Sequence, residues 1–313
     1  MRLLRSELLR ARSRRMVSMV IVGGLIGIVI GLGIASFYSH KPSAAQLASA
    51  QQQYDATYQR CLNGKYLGPN QQIDAGATSV ADVCSTAVTP PLDGIMLRDI
   101  EQILEHISTL VILLGALLGA SLGGADWTSN TMGTLLTWEP RRMRVFLVRA
   151  LVVAIFVVAV TLFLQIVFAL VYWLATDVRG VTAMLPPHLV GDTFATMLRV
   201  SAMAIAFGLV AYVLAMIGRS TVSSLGVLFG YLILFEGIVA GFRQSIAGSL
   251  LVRAATVVIS RQPILMEPRD FSGPGVPVPI VLMDVTKAWT VVAVYVLALG
   301  AISLVQFRRR DVT

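Results

Sequence analysis

The chain has 313 residues, 56% of them hydrophobic and only 13% charged, with a mean hydropathy of +0.76. No water-soluble domain can cover that much apolar surface, so the composition excludes a soluble fold and gives an integral membrane protein. The net charge of +8 does not indicate nucleic acid, because the basic residues sit at the edges of apolar runs without a basic fold or an aromatic platform beside them.

Residues 1–16 carry six arginines. Within them Leu3-Leu4-Arg5-Ser6-Glu7-Leu8-Leu9-Arg10 repeats leucines at helical spacing, the pattern of an amphipathic helix lying in a membrane interface against acidic headgroups. A cluster that serves only to fix topology would carry the same charges. The apolar run that follows, Val17–Phe37, exceeds the roughly 7–15 residues of a signal-peptide core, which favours an uncleaved first span.

Residues 38–99 form a polar insert holding the two cysteines, Cys61 and Cys84. In an oxidising outer compartment such a pair reads as one disulfide, with two free thiols as the alternative. Two Cys without a neighbouring His make a poor zinc site, and no metal is expected. At the end of the insert Glu101 and Glu105 share a helix face beside Arg98 and Asp99, as a solvated helix end or an acidic vestibule.

The remaining apolar runs are 100–122, 145–175, 194–217, 222–242 and 288–307. Each is long enough to cross a bilayer at about 20 residues per span. Backbone groups cannot bond to lipid, so all six spans are expected to be helices, and the short alternating segments of a barrel are absent. The fold class expected is an all-α polytopic membrane protein with six transmembrane helices.

Orientation follows from the basic residues. With the amino terminus inside, the cytoplasmic pieces are 1–16, 123–149, the turn at Arg219 and the tail 308–313, which together hold 14 of the 25 Lys and Arg. That asymmetry puts both termini in the cytoplasm. Lysine occurs only at 41, 65 and 287, a weak pointer to a GC-rich bacterial genome and hence to a bacterial plasma (inner) membrane.

Small residues recur every fourth position at Gly23-Gly27-Gly31, Gly115-Gly119-Gly123, Gly226-Gly230 and Gly237-Gly241. Such faces allow close helix approach within a subunit or across a dimer, although glycine is also frequent in membrane helices generally. Glu236 is the one acid deep in a span, about 20 Å from Val222 at about 1.5 Å per residue. It reads either as a cargo-binding or gate residue, paired with Arg243 or Arg253, or as a capped acid at a helix break. In the connection 243–287, Ser245–Ser260 is apolar yet too short to span, as for a re-entrant or interfacial helix, and Pro263–Pro279 is an ordered loop or a flexible lid.

No catalytic residues are expected. Gly64-Lys65 lacks the following Ser or Thr of a phosphate loop, because Tyr66 stands there. His40, His106 and His188 all lie at or beyond the outer edge.

Between the second and third spans, the inner segment 123–144 is polar, amphipathic and bounded by arginines. It reads Gly124-Ala125-Asp126-Trp127-Thr128-Ser129-Asn130-Thr131-Met132-Gly133-Thr134-Leu135-Leu136-Thr137-Trp138-Glu139-Pro140-Arg141-Arg142. An acidic residue with Trp, a small-Thr step, a Leu pair and Pro-x-Arg resemble the coupling segment of ABC-2-type transporter permeases. The likeness extends in architecture over nearly the whole chain: amphipathic start, large first outer loop, six spans and the Phe307-Arg308-Arg309-Arg310-Asp311 ending. Asp126 stands where that family often has Glu, Asn130 precedes Thr131 where Gly-Thr is usual, and Arg149 sits where Lys is frequent.

The resemblance implies an amino-terminal elbow helix and a cytoplasmic coupling helix. It also implies ATPase-coupling roles for Asp126, Asn130, Thr131, Leu135, Leu136, Pro140 and Arg142. On that basis Asp126 pairs with a basic groove on the partner and the leucines fill its floor, whereas an ordinary inner loop needs only the topogenic arginines. The implied activity is that of an exporter's permease subunit, carrying an apolar or amphiphilic cargo such as an antibiotic, peptide or lipid. Its implied partners are two copies of an ABC ATPase subunit, a second permease subunit (identical or paralogous) and membrane lipids. This chain would hold no cofactor, with ATP and Mg on the partner ATPase. The alternatives are a secondary transporter, or a non-transporting scaffold or sensor built on a permease fold.

Overall fold

A computed structural model describes residues 2–63, 80–129, 131–138, 141–239, 242, 248–266 and 280–309. Gly64-Lys65, Asn130, Pro140, Gly241, Arg243 and most of Pro263–Pro279 lie outside the described residues, as does the end of the tail from residue 310.

The chain is a succession of helices: α1 Arg2–Arg12, α2 Arg15–Tyr38, α3 Ala44–Leu62, α4 Val80–Ala87, α5 Ile100–Thr128, α6 Thr131–Trp138 and α7 Arg142–Arg179. They are followed by α8 Leu189–Gly218, α9 Thr221–Tyr231, a π-helical stretch Leu232–Val239, α10 Leu251–Ser260 and α11 Val285–Arg309. Six helical segments among the described residues are long and apolar enough to cross a membrane. The protein is a multi-pass membrane protein.

Several helices outrun the apolar runs that announce them. α7 has 38 residues, about 57 Å at 1.5 Å per residue, against a hydrocarbon core of about 30 Å. It contains no Gly or Pro, and it stops only at Gly180. α5 likewise continues past residue 122 to Thr128, so Asp126 and Trp127 belong to a spanning helix rather than to a loop. The expected segment 123–144 is therefore the end of α5, the short helix α6 and the start of α7.

One short piece of extended backbone accompanies the helices. Ile264–Met266 and Ile280–Met283 pair as an antiparallel ribbon, β1 and β2. Both strands are β-branched or long apolar residues outside the spans, free to take extended backbone.

The chain divides into two compact units. The first is Met1–Ile21, Ser108–Leu162 and Leu198–Thr313. Here the glycine face of α5 packs on α8. A Cβ on Gly115 would stand 2.6 Å from the Ala204 carbonyl, one on Gly119 would overlap the Gly208 carbonyl, and one on Gly123 would stand 2.9 Å from the Tyr212 carbonyl. Only glycine lets the two backbones approach this closely. Gly226 and Gly230 on α9 meet nothing within 4 Å.

The second unit is Val22–Ile107 and Phe163–Met197. Cys61 and Cys84 form a disulfide joining α3 to α4, and Val88, Tyr54 and Tyr58 pack around it. Arg98 is 8% exposed. Its Nη2 donates to the carbonyls of Ser85 at 2.7 Å and Val88 at 2.9 Å, and its guanidinium lies over the Tyr54 ring. Glu101 accepts a hydrogen bond from Thr196 at 2.7 Å. Arg98 and Glu101 at this helix start are thus packed and bonded, while the Asp99 side chain stays 35% exposed. On α2, Gly23, Gly27 and Gly31 meet nothing within 4 Å.

Candidate functional site

The segment singled out by its sequence is organised around a buried charge cluster in the first unit. α1 ends where Ser13 turns back, its hydroxyl donating to the Arg10 carbonyl at 2.9 Å. Arg14 occupies the break before α2. From there its Nη1 donates to the Ser121 carbonyl at 3.0 Å and its Nη2 to Asp126 Oδ1 at 2.6 Å. Arg149, near the start of α7, places Nη2 2.6 Å from Asp126 Oδ2 and 3.5 Å from Glu7 Oε1. Arg10 completes the group, 3.7 Å from Glu7 and 4.0 Å from Asp126.

The side chains of Asp126, Glu7 and Arg149 are 7%, 9% and 4% exposed. Charges this far from water persist only when paired. The Arg149 contact to Oδ2 is electrostatic rather than a well-angled hydrogen bond, since that oxygen lacks a hydrogen-bond partner among the described residues. The cluster binds α1, α5 and α7 to one another.

In this geometry Asp126 is engaged within the chain. Its carboxylate is taken up by this chain's own arginines and does not face outward to a partner's basic groove. Asp126 is fixed by α5 running on one further turn, which carries it beneath Arg14 and Arg149.

The other expected residues divide as follows. Thr131 opens α6, half-buried, its hydroxyl 3.4 Å from the Asp126 carbonyl. Met132 beside it is buried, with Arg149 Nη1 3.5 Å from its Sδ. Leu135 and Leu136 belong to α6, but their side chains, like Asn130 and Pro140 entirely, are outside the described set. Thr134 and Thr137 are exposed on α6. Arg142 reaches the carbonyls of Phe307 and Arg308, both at 3.4 Å, so it caps the end of α11. Arg142 and Arg149 thus both make contacts inside the chain.

Aromatic residues complete this end of the unit. Trp127 stacks edge-on to Phe307 at 6.3 Å and lies under the Arg219 guanidinium at 5.0 Å. Tyr212 packs on Phe146, to whose carbonyl its hydroxyl donates at 3.1 Å. Glu7, Tyr212 and Phe146 join the site although the sequence pattern does not single them out. Glu7 alone had a usable signal, as the only acid among the first 16 residues.

Glu236 lies in the π-helical stretch. Its Oε1 accepts from the Val252 amide at 2.6 Å and from the Tyr231 hydroxyl at 3.3 Å. Tyr231 in turn accepts from the Leu251 amide at 3.1 Å and sits 3.3 Å from the Tyr295 hydroxyl. Leu250, at the cap position of α10, offers no side-chain acceptor. Glu236 and Tyr231 supply from elsewhere in the chain the acceptors that the first turn of α10 lacks. This capping of a different helix is neither of the two readings drawn from the sequence, a cargo or gate residue or a capped acid at its own helix break. Arg253 makes no ion pair with Glu236 among the described residues, and Arg243 lies outside them.

Among the described residues no group of three or more His, Cys, Asp or Glu is arranged to hold a metal ion. No protein-family model, curated protein or solved structure matches the chain.

Proposed function

We propose that the chain is the permease subunit of an ATP-driven exporter, set in a bacterial inner membrane with both termini in the cytoplasm. In this reading α1 is the elbow helix and α6 the coupling helix. Two such six-span subunits, identical or paralogous, line a pathway for an apolar or amphiphilic cargo, and each seats one ATPase chain that carries ATP and Mg. This chain itself hydrolyses nothing.

The observation that carries the reading is the bracing of α6. A helix of eight residues is too short to hold its shape alone. Here the ends of the helices on either side are locked by the Asp126–Arg14 and Asp126–Arg149 contacts and by Arg142 on α11. A push on α6 would therefore pass directly into α5, α7 and α1. That is the mechanical requirement for converting closure of an ATPase into helix movement. Asp126 serves as a brace in this mechanism, while α6, with Leu135 and Leu136, would contact the partner.

One observation favours a second reading, that of a membrane sensor. The disulfide-closed insert is tied to the start of α5 through Arg98, so a ligand held by α3 and α4 would have a route into the same helix. A secondary transporter has less support, since it normally carries several ionisable groups for ion coupling and Glu236 is occupied as a cap.

The test is Leu135→Asp in the native host, with affinity purification of the chain. The exporter reading expects an ATP-hydrolysing chain to co-purify with the parent and to be lost or uncoupled in the variant. An ATPase retained with unchanged cargo-stimulated hydrolysis overturns α6 as the coupling element. Absence of any ATPase from the parent complex leaves the sensor.

A further inference from the structure

Beside the charge cluster lies an open cleft of about 450 Å³, whose lining includes Arg10, Arg14 and Arg15 together with Asp126, Ser129 and Thr131. Its volume falls within the roughly 300–1,000 Å³ of ordinary small-ligand sites. We propose that this cleft binds a phosphate-bearing anion, as a lipid headgroup or a soluble phosphate, independently of any role in export.

The charge balance points to an anion. Three guanidiniums, of Arg10, Arg14 and Arg149, share two carboxylates, Glu7 and Asp126. Arg15 stands on the rim, exposed, without an ion pair among the described residues. The cleft therefore keeps positive charge after its internal pairs are counted. The chemistry of the donors points to phosphate. Arginine's planar fork matches two oxygens of one oxyanion, and the Arg10 head, 43% exposed, still has N–H groups to offer. The hydroxyls of Ser129 and Thr131 also line the cleft, 3.1 Å apart; they donate to the Ala125 carbonyl at 2.9 Å and the Asp126 carbonyl at 3.4 Å, so a bound oxyanion would draw on them only by turning one hydroxyl from its carbonyl.

The level of the cleft points the same way. Arg15 is the first residue of one apolar span and Trp127 the last of another. A cleft where two spans end lies at the depth of lipid phosphates, and basic pockets at that depth suit acidic headgroups.

The experiment uses the full chain in nanodiscs of phosphatidylcholine, at salt high enough to screen diffuse surface attraction. One arm adds dilute phosphatidic acid and the other inorganic phosphate, with binding read by native mass spectrometry for the lipid and by calorimetry for the ion. The variants are Arg10→Gln/Arg15→Gln, which leaves Arg14 holding Asp126, and Arg5→Gln/Arg12→Gln, which removes equal charge from the same region outside the cleft. Arg15→Gln alone serves if the first double variant fails to assemble. The expected result is saturable binding of one or both probes, lost about thirtyfold in the cleft variant, about fivefold for each arginine near a phosphate, and retained in the control. Binding of phosphatidic acid alone assigns a bilayer headgroup, and equal binding of inorganic phosphate assigns a soluble anion. No binding of either probe, or equal loss in both double variants, overturns the site.

Discussion

Replacing Asp126 by Asn separates the two possible roles of that residue. In a partner-facing role the isolated chain would not notice the change. In the observed geometry it removes the one carboxylate that contacts both Arg14 and Arg149 at 2.6 Å. Each contact is about 6 kcal/mol by Coulomb's law at an effective dielectric near 20, before desolvation of the groups is subtracted. Deleting one partner of a buried pair costs about 3–5 kcal/mol, because the other charge stays behind. Arg149, 4% exposed at its side chain, cannot reach water, whereas Arg14 at 15% can partly do so. At about 2–4 °C per kcal/mol for a domain of 150–250 residues, the apparent melting temperature should fall on the order of 10 °C. The assay is the loss of monodisperse protein in detergent on heating, run at one scan rate so that a scan-rate-dependent midpoint does not enter the comparison. Asp126→Glu should recover part of the loss, and Asp126→Leu with Arg149→Met should recover more than either single change. An Asp126→Asn protein that melts with the parent would refute the brace.

Other expectations follow from the packing and the caps. Gly119→Val drives a side chain into the Gly208 backbone and should lower stability by about 1–3 kcal/mol or more by overpacking, while Gly27→Ala, with open space around it, should leave the isolated chain's melting unchanged. Reducing the Cys61–Cys84 bond opens a loop of 23 residues and should cost the insert about 3 kcal/mol of order, seen as faster hydrogen exchange in α3 and α4; unchanged exchange would show that the insert holds by packing alone. Glu236→Ala should weaken the first turn of α10 by about 1 kcal/mol, the usual loss for a cap. The exchange of the Val252 amide should rise, with Glu236→Gln close to the parent because its amide oxygen still accepts.

The sequence by itself determined the six spans, because apolar length is a local property and lipid leaves the backbone no alternative to a helix. It also brought out the cysteine pair, whose joining needs only two thiols in one oxidising compartment, and the short apolar stretch that became α10. It marked Asp126 and Arg149 as unusual without telling which way they face. That question depends on where α5 ends and on what α1 brings alongside. Both are decided by packing: the glycine face of α5 against α8 sets the helix position, and the break at Ser13 and Arg14 turns a guanidinium back onto Asp126. Glu236 is the same case on a smaller scale. A lone acid in a span is costly wherever it faces, and only the fold put the bare amino end of α10 within 2.6 Å of it. Charge and hydropathy can be read along the chain, but the partner that neutralises a buried charge comes from a distant part of it, here 112 and 142 residues away, and that pairing is a property of the tertiary structure alone.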